Sequence, residues 1–371
     1  MRSVVGLMLG LVLCSCGSGE KRATLRVGVI LPMSGGNSTY GEESWSGLLL
    51  ALDDLQGKEG FSCELIRRDT KSEKQEAGNQ AKHLIENEGV HVLLGSVASS
   101  ETRQAAVEAR ESGVPLITPA STNDTITIEG GPFVSRICFK DSFQGEVLAN
   151  FAADQGWKNA AVAVDKAQVY STGLAATFER VFKTRGGTVG TEYYTSGDTD
   201  FSSVVQNVAN RKPDVIFISG YYVEGGSMIR QSKERWAGVP VIAGDGFDSP
   251  DLIALVGETN ADIYLSSHFA ADAPDETVRS FAGRYKARFG KSPGAMAALG
   301  YDVLVVLADA AKRASDPTDR AALAKAIRET KGVKCVTGVI DLTTPDRTPL
   351  KDLVIVKVEG GLKYHATVKA R

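Results

Sequence analysis

From residue 24 onward the chain repeats one pattern. A short apolar run is stopped by a break rich in Gly, Pro or Ser, and a longer stretch follows with apolar residues every three or four positions. "TLRVGVILPMSG" is the first run and break, and "GEESWSGLLLALDDLQ" the first stripe, with Trp45, Leu48, Leu49, Leu52 and Leu55 on one helical face. Strands that alternate with helices pair in parallel, because each crossover returns the chain to the same edge, and the helices then cover both faces of the sheet. Further strands are predicted in "SCELIRRDT", "VHVLLGS" and "GVPLITPAST", with helices in "KQEAGNQAKHLIENEG" and from near Ser99. After a polar interlude, "GPFVSRICFKDSFQG", the rhythm restarts at "NAAVAVDKAQVYSTG" and continues through "GTVGTEYYT", "DVIFISGY" and "VPVIAGDGF". Helices dominate 275–330, and "LKDLVIVKVEGG" closes with a strand pair. At 371 residues the chain exceeds what one core comfortably holds, so the expectation is an α/β protein of two doubly wound lobes.

In such sheets a ligand sits beyond the carboxyl ends of the strands. Six loops at those ends carry hydroxyls, aromatics or an acid: "PMSGGNSTYG", "GSVASS", "TPAST", "DKAQVYSTG", "SGYYVEGG" and "AGDGFDS". Facing lobes would gather them into one cleft.

Several chemistries are excluded or disfavoured. The net charge is −3 and no Lys/Arg block stands out, so no nucleic-acid partner is expected. Phosphate-loop, dinucleotide and nucleophile-elbow motifs are missing, and Ser99 and Ser100 have no candidate base nearby in sequence. The four histidines, His83, His91, His268 and His365, form no ligand pair and read as surface or structural residues. Neither a metal, a cofactor nor enzymatic activity is expected. Past residue 16 only Cys63, Cys138 and Cys335 remain, enough for one disulfide at most.

The first residues have a different character. "MRSVVGLMLGLVLCSCGSGEKRA" places Arg2 before an apolar run over 4–13 that is too short to span a bilayer permanently. It reads as a signal peptide. "LCSC" resembles the bacterial lipobox, which implies cleavage after residue 15, lipidation of Cys16 and a tether over 16–23. The protein would then be exported and held on the membrane by that anchor alone.

The loops also carry a resemblance in their order. G-x-x-x-S-S-x-T at 95–102, P-A-x-T at 119–122, D-K-x-x-x-Y-x-x-G at 165–173, G-Y at 220–221 and G-D-G at 244–246 together resemble the type I periplasmic binding proteins of branched-chain amino-acid uptake, the Leu/Ile/Val-binding group. The resemblance covers about 24–365. It implies two Rossmann-like lobes joined by three crossovers, near 139–141, 267–270 and 338–342. The N-terminal lobe would comprise 24–139 plus 269–338, and the C-terminal lobe 140–268 plus 339–371. Matched residue by residue, Ser99 is the hydroxyl for the ligand carboxylate, Ala120 offers backbone groups, and Thr122 contacts the zwitterion. Tyr170 and Tyr221 close from the second lobe, Asp245 pairs with the ammonium, and Tyr40 lies beside the ligand side chain. Val97, Ala98 and Met296 would line a side-chain pocket.

The residue types suit those roles. Hydroxyls at a helix start can hold a carboxylate without adding a buried charge. An ammonium entering a closed cleft needs an anion to offset its desolvation. Two departures stand out: Asp245 replaces the commoner Glu, and "VYSTG" lacks the usual Gly after its tyrosine. The resulting expectation is a monomeric, extracytoplasmic binding lipoprotein. It would capture a free amino acid, aliphatic or branched-chain, by hinge closure and deliver it to the membrane subunits of an ABC permease. The alternative is a sensor or transport receptor of the same fold for another small solute, such as an amide or an aromatic acid.

Overall fold

A computed structural model describes residues 24–58, 61–259 and 261–370. The signal peptide, Cys16 and most of the tether expected at the N-terminus lie outside the described residues.

Two sheets form two lobes. The first contains β1 (Leu25–Leu31), β2 (Cys63–Asp69), β3 (Val92–Gly95), β4 (Leu116–Thr118) and β5 (Val134–Arg136), all parallel, in the order β2-β1-β3-β4-β5. In the second, β6 (Asn159–Asp165), β7 (Thr188–Tyr194), β8 (Val215–Ser219), β9 (Val241–Ala243) and β10 (Ile263–Ser267) run parallel. A small hairpin, β11 (Val333–Cys335) and β12 (Gly338–Ile340), stands apart. Then β13 (Leu353–Val358) and β14 (Leu362–Val368) add antiparallel strands beside β10, so the second sheet reads β14-β13-β10-β9-β8-β6-β7.

The central strands are apolar throughout because helices cover both faces. Every residue of β3 and β8 is buried. In the first lobe those helices are α1 (Ser38–Leu55), α2 (Lys74–Glu86), α3 (Ser99–Glu111) and α4 (Ile126–Glu129). In the second they are α5 (Asp141–Asp154), α6 (Val169–Thr184), α7 (Ser202–Asn210), α8 (Tyr222–Ser232) and α9 (Leu252–Val256). The chain then returns through α10 (Glu276–Phe289), α11 (Ala295–Arg313) and α12 (Arg320–Arg328). Asp275 caps α10 by accepting from the Thr277 and Val278 amides, and Gly290 ends it in the left-handed region.

The return is locked to the first lobe by backbone proximity. A Cβ on Gly47 of α1 would stand 2.0 Å from the Ala297 carbonyl, and one on Gly300 of α11 2.2 Å from that of Ser44. Only glycines let these two helices approach so closely. Farther on, the Leu342 amide donates to the Thr330 carbonyl, and the Arg347 guanidinium donates to the carbonyls of Val134 and Thr127. The stretch up to 347 is therefore hydrogen-bonded to first-lobe elements before β13 joins the second sheet.

Three elements departed from the sequence expectation. The polar interlude contains β5, a three-residue edge strand whose identity comes from pairing with β4. Strand β10 and the β11–β12 hairpin were also unannounced. Cys63, Cys138 and Cys335 are free and buried. Among the described residues no helix is long and apolar enough to cross a membrane.

Candidate functional site

The six loops converge between the lobes on one small, nearly filled cavity of about 10 Å³. Tyr40, Val97, Ser99, Ala120, Thr122 and Met296 line it from the first-lobe side; Tyr170, Tyr221, Asp245 and Gly246 line it from the second. Of the residues singled out from sequence, only Ala98 stands outside this wall. It is buried just ahead of α3, where its carbonyl accepts from the Thr102 amide.

The first-lobe wall is built where β3 and β4 end. Gly95 has φ +112, and a Cβ there would meet the Ile30 carbonyl at 2.0 Å. Glycine is thus required by the close approach of the neighbouring strand β1. Helix α3 begins at Ser99, and no side chain caps its N-terminus, so its first amides keep their positive end toward the cavity region. Ser99 therefore does not act as a side-chain cap; its hydroxyl accepts from the Asn123 amide at 3.2 Å. Behind it, Ser96 and Thr70 donate to Glu101, each at 2.7 Å. Burial pushes the Glu101 carboxyl up to about 7 despite those two donors. Thr102 bonds the Ser96 carbonyl and the Ser121 hydroxyl.

The loop carrying Ala120 and Thr122 has a brace that sequence reasoning missed. Arg136, fully buried at the end of β5, donates to the carbonyls of Ser121 at 2.9 Å and Asn123 at 2.8 Å. Five charged donors in a fixed fork can hold several carbonyls at once, which fixes the backbone between them. The Thr122 carbonyl in turn accepts from the Asp141 amide, where the chain passes into the second lobe.

The second-lobe wall carries the acid. Asp245 follows β9 in a short turn and is 3% exposed. Its amide donates to Gln144 at 2.7 Å, and one carboxyl oxygen, Oδ2, lies 3.1 Å from His268 Nε2. The other oxygen, Oδ1, is buried without a hydrogen-bond partner. Gln144 also donates to Asp141 at 3.1 Å. Burial first, and then the Asp245 charge, push the Asp141 carboxyl well above the usual range.

Of the surface and structural readings the sequence leaves for His268, the structure shows a buried, structural residue. Its side chain is fully buried against Asp245 and stacks on Phe139, with ring centroids 3.7 Å apart. Burial drives its pKa down, against the pull of Asp245, so the ring stays neutral and serves as a hydrogen-bond partner. Its sequence neighbours, "SSHFA", offered no signal; the contact spans 23 positions.

The tyrosines join the walls. Tyr170 and Tyr221 stack with centroids 5.4 Å apart. The Gly246 amide donates to the Tyr170 hydroxyl at 2.9 Å, and the Tyr40 hydroxyl donates across the cleft to the Gly246 carbonyl at 2.6 Å. Both backbone groups of Gly246 are held, one from each lobe. Burial raises the pKa of all three tyrosines, which keeps their hydroxyls neutral and able to donate. Further bonds between lobes run from Asn123 to the Val169 carbonyl, from the Val169 amide to Ser100, and from Tyr222 to the Gly36 carbonyl. The lobes are closed on each other.

Against this geometry the chain was compared with known proteins. A Leu/Ile/Val-binding protein of Rhizobium johnstonii is 27% identical over 345 residues, 91% of this chain and 93% of the relative. The crystal structure of a leucine-binding protein from Thermotoga maritima superposes with a TM-score of 0.89 at 37% identity, covering 93% of this chain and 99% of the other. A branched-chain amino-acid transporter substrate-binding protein from Streptococcus pneumoniae, solved with isoleucine, gives a TM-score of 0.86 at 29% identity, covering 94% and 100%. The pattern that defines the periplasmic binding protein family matches residues 24–363, and this chain belongs to that family.

Proposed function

We propose that this protein captures an α-amino acid with an aliphatic side chain between its lobes and presents it to an ABC permease. The observation that carries the reading is the opposition of two different walls in one cavity. The first offers Ser99, Thr122 and a helix start; the second offers Asp245 with one buried oxygen free of partners. A carboxylate suits the first wall and an ammonium the second. Tyr40, Tyr170 and Tyr221 exclude water, Ala120 offers its backbone, and Val97 and Met296 meet the side chain. The names of the relatives favour leucine, isoleucine or valine as the ligand. In the alternative reading, an aromatic acid without a donor would leave the Asp245 oxygen unpaired, and an amide would bring it an N–H but no positive charge.

The lobes proposed are 24–139 plus 269–338 and 140–268 plus 339–371, with the bonds of Leu342 and Arg347 favouring a third crossing nearer 350. On this reading the mature chain is exported, carries lipid on Cys16 and works as a monomer. Intact mass and acyl labelling of the native protein, lost in Cys16→Ala, would test the anchor.

Ligand binding is tested by thermal unfolding in the presence of each proteinogenic amino acid. A ligand that binds only the folded state raises stability with its concentration. Stabilisation by the branched-chain set is expected. No shift with any amino acid at millimolar concentration would overturn the reading.

A further inference from the structure

A second cavity adjoins the first along the same two chain segments, reached from Asp245 to Asp248 and from Met296 to Ala295. Its volume is about 370 Å³, and it lies between the lobes. Glu43, on α1 of the first lobe, faces it, as does Asp248 of the second. Glu43 is 1% exposed; its Oε1 accepts from the Gly294 amide at 3.2 Å, and its Oε2 is buried with no hydrogen-bond partner. Asp248 accepts from the Ser267 hydroxyl at the second crossover. The remaining wall is largely apolar, including Pro250, Ile253 and Phe269, and no Lys, Arg or His lines it.

We infer that this cavity is a second ligand site, for a small organic cation with an apolar body, held by Glu43 from one lobe and Asp248 from the other. A buried carboxyl oxygen without a donor is costly, and an ammonium supplies both the donor and the charge. An apolar wall with few polar groups converging on one end is the usual make-up of a small-molecule site. No cation lines the wall; the Lys291 ammonium, next to Ser292, acts on Glu43 from outside it. Burial, followed by the charge of Asp248, pushes the Glu43 carboxyl up to about 8 against the pull of Lys291, and burial pushes Asp248 up to about 7, so a cation bound between them would draw both back down. Because the two carboxyls belong to different lobes, an occupant favours the closed arrangement over the open one. The second site uses none of the groups that meet the amino acid in the first cavity, although both occupants favour the same closed arrangement.

The test is calorimetric titration of the full mature chain with isopentylammonium chloride, using isopentanol as the uncharged control. Saturable binding of the amine, with the alcohol at least tenfold weaker, is expected. Glu43→Gln should weaken amine binding tenfold or more and leave amino-acid binding unchanged. Asp245→Asn should leave amine binding unchanged, because its carboxyl belongs to the first cavity. Ile253→Trp, which adds bulk to the apolar wall and leaves both acids in place, should block the amine as well. Absence of saturable amine binding at millimolar concentration overturns the inference. So does binding that Asp245→Asn removes while Glu43→Gln and Ile253→Trp leave it intact, because the amine then occupies the first cavity.

Discussion

The two walls of the first cavity place their carboxyls differently. In the first lobe Glu101 lies behind the hydroxyls, where Oε2 accepts from Thr70 and Ser96 and Oε1 is buried without a partner. In the second lobe the acid is on the wall itself, with His268 and Gln144 behind it and one oxygen left over. Hydroxyls and helix amides on one side and a carboxylate on the other can satisfy a zwitterion in one orientation only. The closing tyrosines then span the gap, as Tyr40 does by bonding the Gly246 carbonyl.

Removing the second-lobe charge should break this asymmetry most severely. Asp245→Asn is expected to weaken the amino acid by at least 100-fold, about 3 kcal/mol, the upper range for a hydrogen bond to a charged group. Titration calorimetry reads it directly.

The first-lobe carboxyl should matter to folding and not to affinity. Glu101 is raised from 4.5 to about 7, so between those values the folded chain holds a proton that the unfolded chain has lost. Its contribution to stability is intact below about pH 4.5, declines as pH rises and is lost above about 7. Glu101→Gln should flatten that decline and raise stability at pH 8 relative to pH 5, by up to about 3 kcal/mol at 1.4 kcal/mol per pKa unit. Urea unfolding at the two pH values checks it; an unchanged slope contradicts it.

The remaining two substitutions sharpen the comparison by smaller steps. Ser99→Ala removes one neutral donor and should cost about tenfold in affinity, on the order of 1 kcal/mol. His268→Ala should cost a few-fold, about 0.5–1 kcal/mol, by loosening Asp245. His268→Gln, which keeps a donor, should recover most of it. The loss should appear with amino acids and be missing with their des-amino analogues, because only the former engage Asp245.

Much of the cavity wall could be read from sequence because each loop follows an apolar strand and carries its own residue types. Tyr40, Ser99, Thr122, Tyr170, Tyr221 and Asp245 are all contributed that way. What escaped were residues whose role exists only through distant partners. Arg136 sits in "VSR", a strand too short to carry periodicity, and its guanidinium serves a loop 13 to 15 positions away. His268 and Gln144 reach Asp245 across 23 and 101 positions. Glu43 lies on α1 yet is buried, with the Gly294 amide, 251 positions away, donating to it. Folding brought these polar groups behind or beside the wall, and no local pattern records that.

The central claim is that the second lobe reads the ammonium and the first reads the carboxylate. The most direct measurement is a comparison of leucine with 4-methylpentanoate, its des-amino analogue, on the native chain and on Asp245→Asn by calorimetry. The account predicts that the native protein prefers leucine by 100-fold or more, about 3 kcal/mol, and that Asp245→Asn removes most of that preference by weakening leucine alone. Equal preference in both proteins would contradict it.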